Sequence, residues 1–325
     1  MQRFRLWLVA IACAGVCVIG GNAARAEDDY PNHTVRWLVG YPPGGSTDIS
    51  ARLIGQYLSE HLHQQFAVDN RPGAGNNLAT EMAAHAAPDG YTVFLVNPAN
   101  AINATLYKNL NFNFIQDMAP VAGFIRVPNV MEVNPNVPAK TVQEFIDYVK
   151  ANPGKVNMAS SGIGTSVHLS GALFMMMTGV NMVHVPYRGA GPALTDMLAD
   201  QVQVMFDNMP SSIGHIRGGR LRAIAVTTAQ RDKSLPDVPT VAETVPGYEA
   251  SAWFGMAVPK GTPRPIIDKL NKTVNEALAD PGLQAKLAEL GGTLIPGTPE
   301  DFGKLIAAET EKWGKVVTAT GATAE

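Results

Sequence analysis

Cysteine is confined to Cys13 and Cys17, both within an apolar stretch near the start of the chain. Everything beyond is free of it, which excludes disulfide staples, thiolate nucleophiles and cysteine-based metal sites there. Charge is sparse: 16% of the 325 residues are charged and 46% are hydrophobic, the balance of a folded chain with a large core. Nucleotide signatures fail when checked position by position. Gly162-x-Gly164 needs a third glycine where Val167 stands, Gly73-x-Gly75 needs one where Leu78 stands, and no phosphate-loop run ending in Gly-Lys-Ser/Thr occurs. G-x-S-x-G and H-E-x-x-H are missing too, which weighs against an α/β-hydrolase and a zinc protease. His61-x-His63 stands near a helix end, where a solvated terminus explains it better than a metal. No cofactor and no metal site is implied. There is no short-period repeat and no low-complexity tract.

The first 26 residues read as a secretory leader. Arg3 and Arg5 form a basic n-region, Leu6 to Gly20 an apolar core, and Ala24-Arg25-Ala26 a small-residue cleavage site, with cleavage expected after Ala26. The apolar run is too short for a membrane anchor, and no later stretch reaches spanning length. The formal charge of −3 becomes −6 once Arg3, Arg5 and Arg25 leave with the leader. That argues against a nucleic-acid partner and against a basic footing on a membrane. An exported, periplasmic protein is expected.

Against these absences stands one recurrent design. Val35-Arg36-Trp37-Leu38-Val39 reads as a buried strand, and Ile49, Leu53, Tyr57, Leu58 and Leu62 recur at helical spacing. Between them lies Tyr41-Pro-Pro-Gly-Gly-Ser-Thr-Asp48. The prolines stop the strand, the glycines let the backbone turn and a ligand approach, and Ser46, Thr47 or Asp48 is placed to cap the helix. The first amides of a helix lack internal partners and carry the positive end of its dipole, so such a turn is a seat for an anion such as a carboxylate.

The same order of strand, Gly/Ser/Thr-rich or Asn-rich loop and helix start recurs at 73–77, 97–100, 160–166 and 186–193. Alternation of this kind predicts an α/β fold with a mostly parallel sheet, and ligands of open α/β sheets bind beyond the carboxyl ends of the strands. Any one loop is read as simply as a capped helix start; five together point to a site. The candidates are Tyr41, Gly45, Ser46, Thr47 and Asp48 on the first loop, Asn76 on the second, and Asn97 and Ala99 on the third. Ser160, Ser161, Gly164, Thr165 and His168 follow on the fourth, and Tyr187, Arg188, Gly189 and Ala190 on the fifth. Arg188 is the main cation among these neutral donors. His168 reads equally as a cleft residue or as packing. Asp207, at a strand end, reads equally as a helix cap or as an acceptor for a ligand amine or hydroxyl. Met175-Met176-Met177 reads as core.

The pattern changes near Ile125 to Val133 and again at Met256 to Pro263. These two crossings predict two hinged lobes with a ligand cleft between them: residues 27–126 with 250–325 as one domain and 127–249 as the other. A monomer is expected.

With its loops assembled, the chain resembles the solute receptors of the tripartite tricarboxylate transporters, the Bug-type extracytoplasmic binding proteins, from about Tyr30 to Val317. The motifs that carry the likeness are Tyr41 to Asp48, Asn70-Arg-Pro-Gly-Ala-Gly75, Ala87-Pro-Asp-Gly-Tyr-Thr92, Ala159-Ser-Ser-Gly-Ile-Gly-Thr165 with His168-Leu169, Val185-Pro-Tyr-Arg-Gly189, Leu235-Pro-Asp-Val-Pro-Thr240 and Pro259-Lys-Gly-Thr-Pro263. The resemblance implies a two-lobed periplasmic binding protein fold of the second type, no catalysis, and delivery of a small carboxylate to a membrane permease of one large and one small subunit. It also implies that Tyr41 to Asp48 and Ser160 to Thr165 hold the carboxylate, with Pro186 to Gly189 alongside. The chain departs from the family's common pattern at Tyr41 and at Asn76, where glycine is frequent. A receptor that feeds a signalling partner, or an exported enzyme on the same scaffold, are the alternatives.

Overall fold

The computed structural model describes residues 29–324, so the leader read over 1–26 and its cleavage site lie outside the described residues. The chain opens with β1 (Val35–Val39), α1 (Ser46–Leu62), β2 (Phe66–Asn70), α2 (Asn77–Ala84), β3 (Thr92–Val96) and α3 (Pro98–Leu106). Its middle holds α4 (Phe114–Asp117), β4 (Met118–Val133), α5 (Val142–Ala151), β5 (Asn157–Ser160), α6 (Ser166–Thr178), β6 (Val183–Pro186), α7 (Ala190–Leu198), β7 (Val204–Asn208), α8 (Met209–Arg217) and β8 (Arg222–Val226). It closes with β9 (Ser251–Pro259), α9 (Arg264–Ala279), α10 (Pro281–Glu289), β10 (Thr293–Leu294) and α11 (Pro299–Thr320).

β1 pairs in parallel with β2 and β3 because a crossover helix separates each from the next. Helices on both faces explain its unbroken apolar run. Val35, Trp37 and Val39 enter one core with Ile54 and Leu58 of α1, while Leu38, on the opposite face, meets Ala79 and Ala83 of α2. β5, β6 and β7 repeat the parallel arrangement in a second lobe.

The two lobes share one strand. The order is β2-β1-β3-β9-β4-β7-β5-β6, with β8 and β10 also paired to β4. Met118 to Pro128 of β4 pairs antiparallel with β9, and Asn129 to Val133 pairs with β7 and β8. Proline cannot donate to a ladder, and the register with β9 slips between Pro120 and Ala122 and again between Gly123 and Ile125. At the junction Thr227 joins both lobes: its N–H bonds Asn129 O at 2.9 Å, its Oγ1 accepts Asn129 N–H at 2.8 Å, and its carbonyl accepts Ala250 N–H at 3.0 Å.

The first lobe's cores lie between its sheet and α1, α2, α9 and α10. α11 starts in that lobe with Phe302 and Ile306. It ends with Trp313 and Val317 in a cluster that includes Phe174 of α6 and Phe206 of β7. Three elements go beyond the sequence reading: β9 runs back to Ser251, β4 starts at Met118, and α8 follows β7 directly.

Candidate functional site

Helix starts from both lobes converge on one cavity. The first lobe brings Tyr41, Gly45, Ser46 and Thr47 ahead of and into α1, and Asn97 and Pro98 at the start of α3. The second lobe brings Ser161, then Thr165, Ser166 and Val167 at the start of α6, Ala190 at the start of α7, and Asn208 just before α8. Phe254 of β9 supplies an apolar floor. The empty volume is about 380 Å³, part of it open at the rim, within the size range of small-molecule sites.

The local chemistry of each helix start differs. α1 is capped by Gly45, not by the predicted Ser46, Thr47 or Asp48, so no side chain covers its first amides. Asp48 turns back instead: its Oδ2 accepts Gly44 N–H at 3.1 Å, and its Oδ1 pairs with Arg52 at 2.8 Å and accepts Asn70 Nδ2 at 3.0 Å. Burial opposes the Asp48 charge, but the hydrogen bonds from Arg52, Gly44 and Asn70 outweigh it and hold the carboxyl below its usual range. α3 is closed by a capping box of Asn97 and Asn100. Asn97 Oδ1 accepts Ala99 N–H at 2.9 Å, while Asn97 Nδ2, buried beside the cavity, has no well-formed hydrogen bond and only a weak interaction with the Tyr41 hydroxyl. α6 is capped by Thr165, whose Oγ1 accepts His168 N–H at 3.2 Å and donates to Gly162 O at 2.7 Å.

The lobes touch around this cavity. Ser46 Oγ lies 3.0 Å from Ser211 Oγ and accepts Ser211 N–H at 3.2 Å. Gly164, at φ +81°, approaches α3 so closely that a Cβ there would stand 2.2 Å from Asn103 Oδ1. A Cβ on Gly189 would stand 2.6 Å from Pro42 Cδ. Only glycine permits both approaches.

A second cavity adjoins the first through Tyr41 and Ser161. Gly40, Gly73 to Asn76 and Tyr107 wall it on one side, and Gly162, Ile163 and Pro186 to Arg188 on the other, around an empty volume of about 610 Å³. Arg188 is the one cationic side chain on the walls of either cavity among the described residues. Asn76 is buried and left-handed at φ 84°. Its Nδ2 donates to Asn100 Oδ1 at 3.2 Å, and its Oδ1 is unpartnered.

Of the residues singled out from the sequence, Tyr41, Gly45, Ser46, Thr47, Asn97, Ser161, Thr165 and Ala190 line the first cavity. Asn76, Tyr187 and Arg188 line the second. The rest stand behind the walls. Ala99 donates to the Asn97 cap, and Gly164 and Gly189 form the close approaches. Ser160 Oγ lies 2.6 Å from His184 Nε2. His168 accepts Gly164 N–H at 3.4 Å and stacks on His184, ring centres 4.2 Å apart. Burial pushes His168 down to about 3, with His184 adding to it, and burial pushes His184 down to about 4, so both rings are neutral. Asp207 is fully buried and stands behind the cavity wall, hydrogen-bonded to Ser211 and to the backbone of Asn208.

Sequence reasoning missed Pro98, Ser166, Val167, Asn208 and Phe254 on the first cavity. Pro98 and Ser166 lie inside predicted loops and Val167 adjoins one, so all three were within reach. Asn208 and Phe254 were not, because α8 and the early part of β9 carried no readable pattern.

The family model described as tripartite tricarboxylate transporter family receptor matches residues 50–322. Among solved structures, R. palustris Rpa4515 with adipate is 38% identical, with TM-score 0.89, covering 90% of this chain and 99% of that one. The periplasmic binding protein BugD is 33% identical, with TM-score 0.88, over 90% and 99% of the two chains. MatC from Rhodopseudomonas palustris with bound malate is 33% identical, with TM-score 0.85, over 89% and 100%. The matching family is one of receptors rather than enzymes, and BugD is a periplasmic binding protein. No helix among the described residues is long and apolar enough to cross a membrane.

Proposed function

Because the chain belongs to the tripartite tricarboxylate transporter receptor family, we propose that it captures a small organic carboxylate between its lobes and delivers it to a membrane permease of one large and one small subunit. Export, with cleavage after Ala26, belongs to the same reading. The observation that carries it is the wall of the first cavity. It offers uncapped α1 amides, the weakly held Asn97 Nδ2, and Ser and Thr hydroxyls, with no cation and no carboxylate on its surface among the described residues. Neutral donors at helix starts hold an anion by many short bonds and by the aligned peptide dipoles. A buried donor left poorly paired is costly, and a carboxylate oxygen placed there removes that cost.

Adipate and malate on the structural neighbours support a carboxylate here as well. Ligand seats on one lobe, and closure adds the amides and hydroxyls of the other, so the closed shape is favoured only when the cavity is filled.

The test is a thermal-shift screen of residues 27–325 against mono-, di- and tricarboxylates, each with its matched ester or amide. A ligand at ~100 times its dissociation constant adds about 2.7 kcal/mol of stability, a clear rise in melting temperature. Loss of the shift on esterification supports the reading. Shifts from sugars or cations alone would overturn it.

A further inference from the structure

We propose that Glu132 and Asp207 share one proton at neutral pH and position the Ser46 hydroxyl, turning it to Ser211 when Asp207 is ionised and freeing it for ligand when both acids are protonated. This rests on the carboxylate-receptor reading above.

The two acids hang from neighbouring strands. Val130 faces Asp207 and Glu132 faces Met205 across β4 and β7, so the carboxyls lie on one face of the sheet, a diagonal step apart. Both are fully buried. Among the described residues neither carboxyl has an ion-pair partner, and the side chains bonded to them are serines of α8.

Counting hydrogens places the proton. Ser212 Oγ lies 2.7 Å from Glu132 Oε1 and 2.9 Å from Asp207 Oδ2. One hydroxyl has one hydrogen, so between two carboxylates one of those contacts would set lone pair against lone pair. Glu132 Oε2 is buried without a partner, which a full charge there would not tolerate, whereas the Asp207 carboxyl also draws a backbone hydrogen bond from Asn208. Asp207 also receives Ser211 Oγ–H, so the charge belongs on Asp207 and the proton on Glu132.

The chain of donors then runs one way. Glu132 donates to Ser212, Ser212 and Ser211 donate to Asp207, and Ser46 donates to Ser211, 3.0 Å away, while accepting Ser211 N–H. The single Ser46 hydrogen is thereby turned away from the cavity. Protonating Asp207 reverses the order. Asp207 donates to Ser211 Oγ, the Ser211 hydrogen turns to Ser46 Oγ, 3.0 Å away, and the Ser46 hydrogen is released to a ligand oxygen. The same step removes a negative charge from behind the site. Both effects tighten anion binding as pH falls.

Burial pushes Asp207 up to about 6 against the pull of its serine bonds, which sets where the step falls. Burial, then the Asp207 charge, holds Glu132 well above the ordinary glutamate range. Most other ionisable side chains of the packing elements have partners of their own, and on α6 His168 stacks on His184. On α1, Asp48 and Arg52 pair with each other. On β4, Arg126 meets Glu309. On β8, Arg222 binds the carbonyls of Pro135, Val137 and Ala139. On α8, His215 and Arg217 occupy the last turn.

Malate titrated calorimetrically at several pH values between about 5.5 and 8 tests this, because its own ionisation cancels between protein variants. Wild type should bind roughly three- to tenfold tighter at the acid end than D207N or S211A would predict from their own profiles, the size of one hydrogen bond gained. S211A cuts the relay while keeping both acids in place, at the loss of one Asp207 hydrogen bond, so a poorly folded D207N leaves the test intact. Infrared difference spectra of wild type against E132Q at pH 7 should show a protonated-carboxyl band that E132Q lacks. Identical pH profiles in wild type and S211A, or no such band, overturn the proposal alone. If malate and the screen's other carboxylates bind at no pH while the infrared band is present, the receptor reading fails and the shared proton stands.

Discussion

At the scale of single residues, charge and its absence govern the site. Among the described residues Arg188 is the one cation facing either cavity, and it stands in the second, at the far side of Tyr41 and Ser161. We propose that it reads a second acidic group on a ligand whose first carboxylate lies in the first cavity. R188Q should weaken a dicarboxylate by roughly two- to fivefold, the worth of about one charge-assisted bond from an exposed side chain. It should leave the monocarboxylate of equal chain length unchanged, and paired calorimetric titrations read the difference. The stacked histidines make a different prediction. Burial depresses both, to about 3 and about 4, below the value near 6.5 of an unfolded histidine. Below that value the unfolded chain binds protons that the native chain refuses, so their contribution is complete above about pH 6.5 and is lost as pH falls toward 4. H184Q keeps a hydrogen-bonding group near Ser160 but cannot titrate. Its stability at pH 4.5 relative to pH 7, read from urea unfolding, should fall less than wild type's by roughly 1–2 kcal/mol, allowing for the partial exposure of the ring.

At the scale of elements, helix starts matter most, and they differ in how they are closed. Thr165 caps α6 with two hydrogen bonds, so T165A should cost about 1 kcal/mol in chemical unfolding, and T165S should recover most of it. Gly45 offers α1 no such side chain, which leaves its amides to a ligand. Much of this was legible in the sequence. The alternation of strand, turn and helix gave away β1 to α3 and β5 to α7, because parallel strands need crossovers and each crossover leaves a periodic helix behind. What failed was local. β9 is buried along its whole length, so Ser251-Ala-Trp-Phe-Gly-Met-Ala-Val-Pro259 shows no alternation, and its small residues have little strand preference. The early part of β4 carries Pro120, Gly123 and Pro128, residues that argue against a central strand until its register shifts are seen. α8 opens with Met209 and Pro210 straight out of β7, with no loop to announce it. Asp207 could be placed at a strand end but not behind the cavity wall, since burial on that face depends on β4 and α8 together.

At the scale of the whole molecule, the question is which parts move. We propose the division read from the sequence: residues 27–126 with 250–325 as one body and 127–249 as the other. The paired junction of Asn129, Thr227 and Ala250 then serves as the pivot. α11 adds a constraint, because its last turns pack with Phe174 and Phe206 of the second lobe. That contact lies apart from the walls of the first cavity, so it can persist while the cavity opens. Closure is limited elsewhere, at the glycine approaches. G164A places a methyl group 2.2 Å from Asn103 Oδ1 across the lobes, at a residue already left-handed. Each lobe can still fold, because the clash exists only when they meet. The variant should therefore keep most of its stability yet lose at least tenfold in carboxylate affinity, a cost of about 1.4 kcal/mol or more. It should also lose the ligand-induced contraction that small-angle scattering reads in the wild type. Wild-type affinity together with full contraction would show that this contact does not limit closure.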